Sequence, residues 1–198
     1  CTYANGASGS GTGFIINLCH HKKKNLFIPV LITNNHVVEN STETIFEFCK
    51  ADENQQPVDT ETVSFVCPSN LWIPHPDPHV DLRCLPIAPI IQWSKEHNKE
   101  IFYIPLDIRW LPTAEALEKL NALEEVVMIG YPIGLSDMYN HKPIIRRGIT
   151  ATHPRNNYQG KKEILLDIAA FPGSSGSPVF ILNQGSYSEQ GAVCMGTR

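Results

Sequence analysis

Two serines, Ser174 and Ser175, lie between two glycines in the segment Pro172-Gly173-Ser174-Ser175-Gly176-Ser177-Pro178. A serine hydroxyl becomes an effective nucleophile when a tight turn presents it and a nearby base takes its proton. Such a turn also directs the backbone N–H groups of Gly173 and Ser175 into one small space, as an oxyanion hole requires. The segment therefore indicates acyl-transfer chemistry at Ser175, although a Gly/Ser/Pro cluster alone is typical of an ordinary loop.

A candidate base and a candidate acid precede this serine in the chain. His36 lies just after the apolar run that ends at Leu31-Ile32, and Asp81 precedes the run Leu82–Ile87. The order His, Asp, Ser is one of the orders in which the catalytic triad recurs. Asp77 is an alternative to Asp81, but it lies between prolines in a predicted loop, whereas Asp81 directly precedes a predicted strand.

Four segments in this order resemble the trypsin-like serine peptidases of the chymotrypsin fold, and among them the bacterial HtrA/Deg-type peptidases. These segments are Gly11–Ile16, Thr33–Val38, Val127–Leu135 with Arg147–Thr150, and Asp167–Pro178. The resemblance implies an all-β fold of two six-stranded antiparallel barrels, with His36 as base, Asp81 as its orienting acid and Ser175 as nucleophile. It also implies that Gly173 and Ser175 form the oxyanion hole.

The pattern of short apolar runs and turns predicts strands throughout, with one short helix between the barrels. The N-terminal barrel is expected over about residues 9–90 and the C-terminal barrel over 125–198, with the linker and its helix, near Pro112–Leu120, between them. Residues 51–61 and 88–111 are expected to be connections. Only a short stretch follows Ser175, so we expect a C-terminally truncated domain. The predicted strands lie near residues 11–18, 26–33, 43–49, 62–67, 80–87, 125–130, 143–150, 163–169, 178–182 and 191–196.

The resemblance also bears on specificity and activation. It places the floor of the primary specificity pocket at Ala169, with Ala170 beside it, and neither residue has the carboxylate that a preference for Arg or Lys requires. We therefore expect small or apolar residues before the scissile bond. Ser174 stands where trypsin has an aspartate, so we do not expect activation through an ion pair with a new N-terminus.

Composition limits the other function classes. The 198 residues carry a net charge of −4, which argues against a nucleic-acid partner, and no apolar run is long enough to span a bilayer. The basic run Lys22-Lys23-Lys24 is expected to be a solvated turn. His75, Asp77 and His79 lie in a proline-rich loop without cysteine partners, so we expect no metal and no other cofactor.

The six cysteines do not match a secreted disulfide framework, because none follows His36 directly and none lies just before Ser175. We therefore expect a reducing, cytoplasmic compartment. Periplasmic and lipid-anchored locations, the latter through Cys1, stay open as alternatives.

Three functions remain in competition. The first is an active serine endopeptidase acting on protein or peptide substrates through an acyl-enzyme. The second is a catalytically silent module that keeps the fold and binds peptides or regulates a partner. The third is an esterase-like acyl hydrolase, which such a site also permits.

Overall fold

Strands predominate in the computed structural model, which describes residues 1–21, 26–133, 137, 139–189 and 192–197. Three α-helices interrupt the strands, Asn35–Val38 (α1), Ala88–Glu96 (α2) and Ala114–Lys119 (α3), with single 3-10 turns at Ser69–Leu71 and Ile108–Trp110. The described strands are Thr2–Tyr3 (β1), Phe14–His21 (β2), Leu26–Thr33 (β3), Ser41–Ala51 (β4), Pro57–Pro68 (β5), Ile73–Pro74 (β6), Arg83–Pro86 (β7), Leu106–Asp107 (β8), Glu125–Gly130 (β9), Ile144–Thr150 (β10), Leu166–Asp167 (β11), Val179–Ile181 (β12), Gln184–Glu189 (β13) and Ala192–Thr197 (β14).

The chain divides into two compact units. Unit 1 contains Cys1–Ile108, Gly130–Ile144 and Phe171–Ser177. Unit 2 contains Arg109–Ile129, Ile145–Ala170 and Pro178–Arg198. His36, Asp81 and Ser175 therefore all belong to unit 1, because the short segment that carries Ser175 groups with the N-terminal part of the chain.

Unit 1 is built on two antiparallel sheets with one parallel pairing. One sheet has the order β6-β7-β3-β2-β8, in which only β2 and β8 run parallel, and the other has the order β1-β4-β5. Apolar side chains on one face of these strands form a core cluster with residues of α1 and of the connections, since successive residues of a strand face opposite sides of the sheet. The buried members of this cluster are Ile15, Leu31, Val37, Val38, Cys67, Trp72, Leu85 and Ile87.

Unit 2 contains the antiparallel sheet β11-β10-β9-β12 and the hairpin β13-β14. Val126 and Met128 alternate on the buried face of β9. Helix α3 begins after Thr113, whose hydroxyl accepts a hydrogen bond from the Ala116 N–H at 3.2 Å. This contact supplies a partner for a backbone donor that a helix N-terminus leaves unsatisfied.

The all-β expectation and the short helix near residues 112–120 are confirmed. In the described residues the sheets are open, so the expected closed barrels are not observed. The expectation of a loop over 51–61 was wrong in part, because β5 begins at Pro57 and pairs with β4 from there on. The expected connection over 88–111 contains two elements that the sequence did not predict, α2 and β8.

Parts of some expectations lie outside the described residues, namely the Lys22–Lys24 turn, residues 134 and 135 of the Val127–Leu135 segment, and Gly191 of the last predicted strand. Among the described helices, none has the length and apolarity needed to cross a membrane.

Candidate active site

The pairing of β3 with β7 brings His36 and Asp81 together. The two strands are antiparallel, and Thr33 at the end of β3 lies opposite Arg83 at the start of β7. Residues that follow β3 therefore meet residues that precede β7. Helix α1 begins two residues after Thr33 and carries His36, while Asp81 lies two residues before Arg83.

Asp81 holds His36 through both carboxylate oxygens. Its Oδ2 lies 2.6 Å from the Nδ1 atom of His36, and its Oδ1 accepts a hydrogen bond from the His36 backbone N–H at 2.9 Å. The side chains are 55% and 49% exposed, so both groups remain open to solvent. The carboxylate thus fixes the ring through Nδ1 and leaves Nε2 on the opposite side for proton transfer.

Two asparagines and an arginine fix the backbone around this pair. The carbonyl oxygen of Asp81 accepts hydrogen bonds from the Asn34 side-chain amide at 2.8 Å and from the Asn35 N–H at 3.2 Å. The Arg83 Nε in turn donates to the Asn35 side-chain oxygen at 2.5 Å. Asp81 is therefore held at its main chain as well as at its carboxylate.

Asp77 has a different environment. Its Oδ1 accepts a hydrogen bond from the His79 N–H at 3.0 Å, and its own N–H donates to the His75 Nδ1 at 3.1 Å. These contacts close a local turn, as aspartate side chains commonly do. The structure therefore places Asp81, and not Asp77, against His36.

The segment Phe171–Ser174 forms a tight turn before the candidate nucleophile. The Ser174 N–H donates to the carbonyl oxygen of Phe171 at 2.9 Å, and Gly173 has a φ of +89°. Proline at the second position and a glycine with positive φ at the third are the signature of a type II turn. The Ser174 hydroxyl is buried and accepts from the Phe171 N–H at 3.2 Å, so this serine supports the turn.

The orientation of the turn leaves the two candidate oxyanion donors available. The Ile133 N–H donates to the Pro172 carbonyl oxygen at 2.8 Å. The carbonyl and N–H of a trans peptide point in opposite directions, so the Gly173 N–H faces away from Ile133. Within the described part of the chain, neither the Gly173 nor the Ser175 N–H donates a backbone hydrogen bond.

Close contacts connect the segment Phe171–Ser177, here called the nucleophile turn, to the histidine segment Thr33–Val38. A Cβ at Gly11 would lie 2.6 Å from the Val37 Cγ1 atom and 3.3 Å from the Ser175 carbonyl oxygen. Only glycine therefore fits at position 11, between Val37, the residue after His36, and Ser175.

Among the residues that the structure describes, the Ser175 hydroxyl makes no hydrogen bond with the His36 ring.

The candidate specificity-pocket residues, Ala169 and Ala170, belong to unit 2, where both are exposed.

The described residues contain no group of three or more His, Cys, Asp or Glu side chains that could hold a metal ion. The arrangement in unit 1 thus offers an oriented imidazole, a serine directly after a tight turn and two N–H donors.

Sequence reasoning missed Thr12, which is only 3% exposed and touches the nucleophile turn through both its main chain and its side chain. The segment Gly11–Ile16 was interpreted as a strand, yet β2 begins at Phe14. A usable signal was present, because a polar residue between two glycines just before an apolar strand suits a close backbone approach.

The comparisons with known proteins bear on the whole arrangement. No curated protein matches the sequence significantly. The family model for the trypsin-like peptidase domain matches residues 11–186, which include His36, Asp81 and Ser175. The matched segment covers most of the 198 residues, and the chain therefore belongs to the family of trypsin-like peptidase domains.

Proposed function

We propose that the chain is a serine endopeptidase that hydrolyses peptide bonds through an acyl-enzyme. The observation that carries this proposal is that the Asp81 carboxylate binds both the ring and the backbone of His36. Its Oδ2 lies 2.6 Å from the His36 Nδ1, and its Oδ1 accepts from the His36 N–H at 2.9 Å. Membership of a peptidase family supports the same chemistry. The similarity to bacterial HtrA-type enzymes is part of the proposal and rests on the sequence segments alone.

In the proposed mechanism the Ser175 Oγ attacks the acyl carbon of the scissile bond. The Nε2 atom of His36 takes the hydroxyl proton and then gives it to the leaving amine. Asp81 accepts a hydrogen bond from Nδ1–H and stabilises the imidazolium that forms. Water then hydrolyses the acyl-enzyme by the same proton transfers in the second half of the reaction.

The N–H groups of Gly173 and Ser175 would stabilise the developing oxyanion. The positive φ of Gly173 and the hydrogen bond from Ile133 to Pro172 support this assignment, because both fix the direction of the Gly173 N–H. Donors that are held in place before the reaction lower the barrier more than donors that must reorient.

A small or apolar residue before the scissile bond is the proposed preference. Ala169 and Ala170 provide no carboxylate for a basic side chain. Peptide p-nitroanilides that differ only in this residue test the preference. We expect higher kcat/KM for Ala or Val than for Lys or Glu, and faster cleavage after Lys would contradict it.

One observation bears on the alternative of a catalytically silent module that binds peptides. Among the described residues the Ser175 hydroxyl does not hydrogen-bond to His36. Catalytic hydrogen bonds are often long in a free enzyme and shorten when substrate binds. The absence of a Ser175–His36 hydrogen bond is therefore compatible with either function. A measurement of turnover distinguishes them.

Hydrolysis of a fluorescence-quenched casein tests the proposed function. The wild type should cleave it, and Ser175→Ala should lose at least about 10³-fold in rate, as removal of a triad nucleophile does. Ser186→Ala is the matched control, because Ser186 is an exposed serine on β13. Equal rates for wild type and Ser175→Ala would contradict a serine peptidase, and no turnover would favour the silent module.

A reducing, cytoplasmic compartment is also part of the proposal. Cys1, Cys49, Cys67, Cys84 and Cys194 are free thiols in the structure, which supports it. Fractionation of the native cells, followed by detection with an antibody, tests this location. Recovery in a periplasmic or membrane fraction would contradict it.

A further inference from the structure

Thr12 lies just before β2 and hydrogen-bonds through its hydroxyl to two separate segments of unit 1. The Thr12 Oγ1 donates to the carbonyl oxygen of Gly173 at 2.9 Å and accepts from the Tyr131 N–H at 2.9 Å. Both capacities of the hydroxyl are therefore used. Thr12 is 3% exposed and Gly173 is also buried, so water has little access to these groups.

The main chain of Thr12 adds two further hydrogen bonds. Its N–H donates to the Ser175 carbonyl oxygen at 2.7 Å, and its own carbonyl oxygen accepts from the Thr33 hydroxyl at 2.7 Å. Thr33 ends β3, the strand that leads to His36. One residue thus contacts the nucleophile turn, the histidine strand and the segment around Tyr131.

The direction of the peptide between Pro172 and Gly173 decides where the Gly173 N–H points. Types I and II turns differ mainly in the direction of the central peptide, which here joins Pro172 to Gly173. The Ile133 N–H holds the Pro172 carbonyl at 2.8 Å and so selects the direction with positive φ at Gly173. Ile133 is two residues from Tyr131, and the Thr12 hydroxyl joins Tyr131 to Gly173.

We propose that Thr12 is a positioning residue for peptide hydrolysis, whose hydroxyl holds the Tyr131–Ile133 segment against the Phe171–Ser174 turn. Through this contact it keeps the Gly173 N–H directed toward the acyl oxygen. This inference rests on the proposed serine peptidase function and adds a residue to it. Without the hydroxyl, the turn can exchange with the form in which the Pro172 carbonyl occupies the position of the donor.

Three variants test the role. Thr12→Val keeps the shape and removes the hydroxyl, whereas Thr12→Ser keeps the hydroxyl and removes a methyl group. Thr44→Val is the matched control, because Thr44 is also buried and its hydroxyl also has two partners, accepting from the Trp72 Nε1 at 3.0 Å and donating to the Cys67 carbonyl at 3.2 Å. All are measured for kcat, KM and Tm on one peptide substrate.

We expect Thr12→Val to lower kcat about 10–100-fold with KM changed less than about threefold, since a misdirected oxyanion donor acts on the transition state. Thr12→Ser should keep kcat within about threefold of the wild type. Thr44→Val should lower Tm but leave kcat of the folded protein unchanged. If Thr12→Val does not fold, Thr12→Ala carries the same expectation, because its smaller side chain leaves room for water.

Two results would overturn the inference while leaving the peptidase function intact. One is a kcat for Thr12→Val equal to that of Thr44→Val, which would show a purely structural role. The other is a Thr12→Ser variant as slow as Thr12→Val, which would assign the effect to the methyl group. No turnover by the wild type, with Ser175→Ala behaving identically, would instead contradict the serine peptidase function and with it the role of Thr12.

Discussion

Asp81 uses each of its carboxylate oxygens for a different part of His36. Oδ2 lies on the ring nitrogen and Oδ1 on the backbone N–H, while the main-chain carbonyl of Asp81 accepts from Asn34 and Asn35. A carboxylate held in this way orients the ring in the tautomer that leaves Nε2 able to accept a proton. The catalytic role that we propose for Asp81 therefore depends on its charge and on its capacity to accept hydrogen bonds.

Asp81→Asn tests this role. The amide keeps the shape but can donate to Nδ1 and so favour the wrong tautomer, and we expect kcat to fall about 10³–10⁴-fold. Asp77→Asn is the matched control, because the Asp77 side chain caps its own turn. Its kcat should stay within about threefold of the wild type. The opposite ranking of the two variants would assign the catalytic acid to Asp77.

At the residue scale, much of the site could be predicted. His36, Asp81 and Ser175 stand in motifs whose local spacing is visible in the chain, and the strand after Asp81 distinguished it from Asp77. Thr12 could not be assigned, because its partners Tyr131 and Gly173 are remote in sequence and only the fold brings them together. The support given to Asp81 by Asn34 and Asn35 depends in the same way on the β3–β7 register.

Two glycines of the nucleophile turn have little freedom to vary. Gly173 and Gly176 both have positive φ, at +89° and +86°. A Cβ at Gly176 would overlap the Thr12 carbonyl oxygen and would lie 2.5 Å from the Thr33 hydroxyl. Because these neighbours are backbone or tightly hydrogen-bonded, they cannot move away at low cost.

Gly176→Ala and Gly160→Ala separate strain from overlap. Gly160 also has a positive φ, +79°, but a Cβ there meets nothing within 4 Å. Gly160→Ala should therefore cost only the left-handed strain, about 1–2 kcal/mol of unfolding free energy. Gly176→Ala should cost several kcal/mol or prevent folding, because steric overlap adds to the strain. Urea denaturation measures both, and equal midpoints would contradict the close approach of Thr12.

At the element scale, the apolar periodicity predicted most strands and the helix capped by Thr113, since those signals are local. It did not predict α2, whose sequence begins Ala88-Pro89. Proline is acceptable in the first helical turn, so it marked a helix start rather than a connection. The early part of β5 was missed because its residues are polar. It forms through pairing with β4, down to Pro57 opposite Ala51.

On the scale of the whole molecule, the three candidate catalytic residues gather in unit 1, whereas Ala169 and Ala170 belong to unit 2. The family model covers residues of both units.

Unit 1 holds three partly or fully buried thiols whose pKa values are raised by burial, Cys49, Cys67 and Cys84. Burial disfavours the thiolate. These groups should therefore make the folded protein less stable as the pH becomes alkaline.

The free energy of unfolding should fall as pH rises from about 8 to about 9.5. An unfolded thiol ionises near a pKa of about 8.5. The folded protein keeps its protons to higher pH, so the unfolded state gains stability by ionising first. Urea denaturation at each pH measures the slope. The Cys67→Ala/Cys84→Ala variant should be less stable at pH 7 but show a shallower decline, and an equal slope would contradict the prediction.

Labelling of the folded protein with a fluorophosphonate probe, read by intact mass, tests most directly whether Ser175 is an activated nucleophile. This reagent reports an activated serine, because the hydroxyl must attack phosphorus with help from a base and an oxyanion hole. We expect one adduct on the wild type and on Ser186→Ala, and none on Ser175→Ala or His36→Ala. No adduct on the folded wild type, or an adduct that persists in Ser175→Ala, would contradict an activated Ser175.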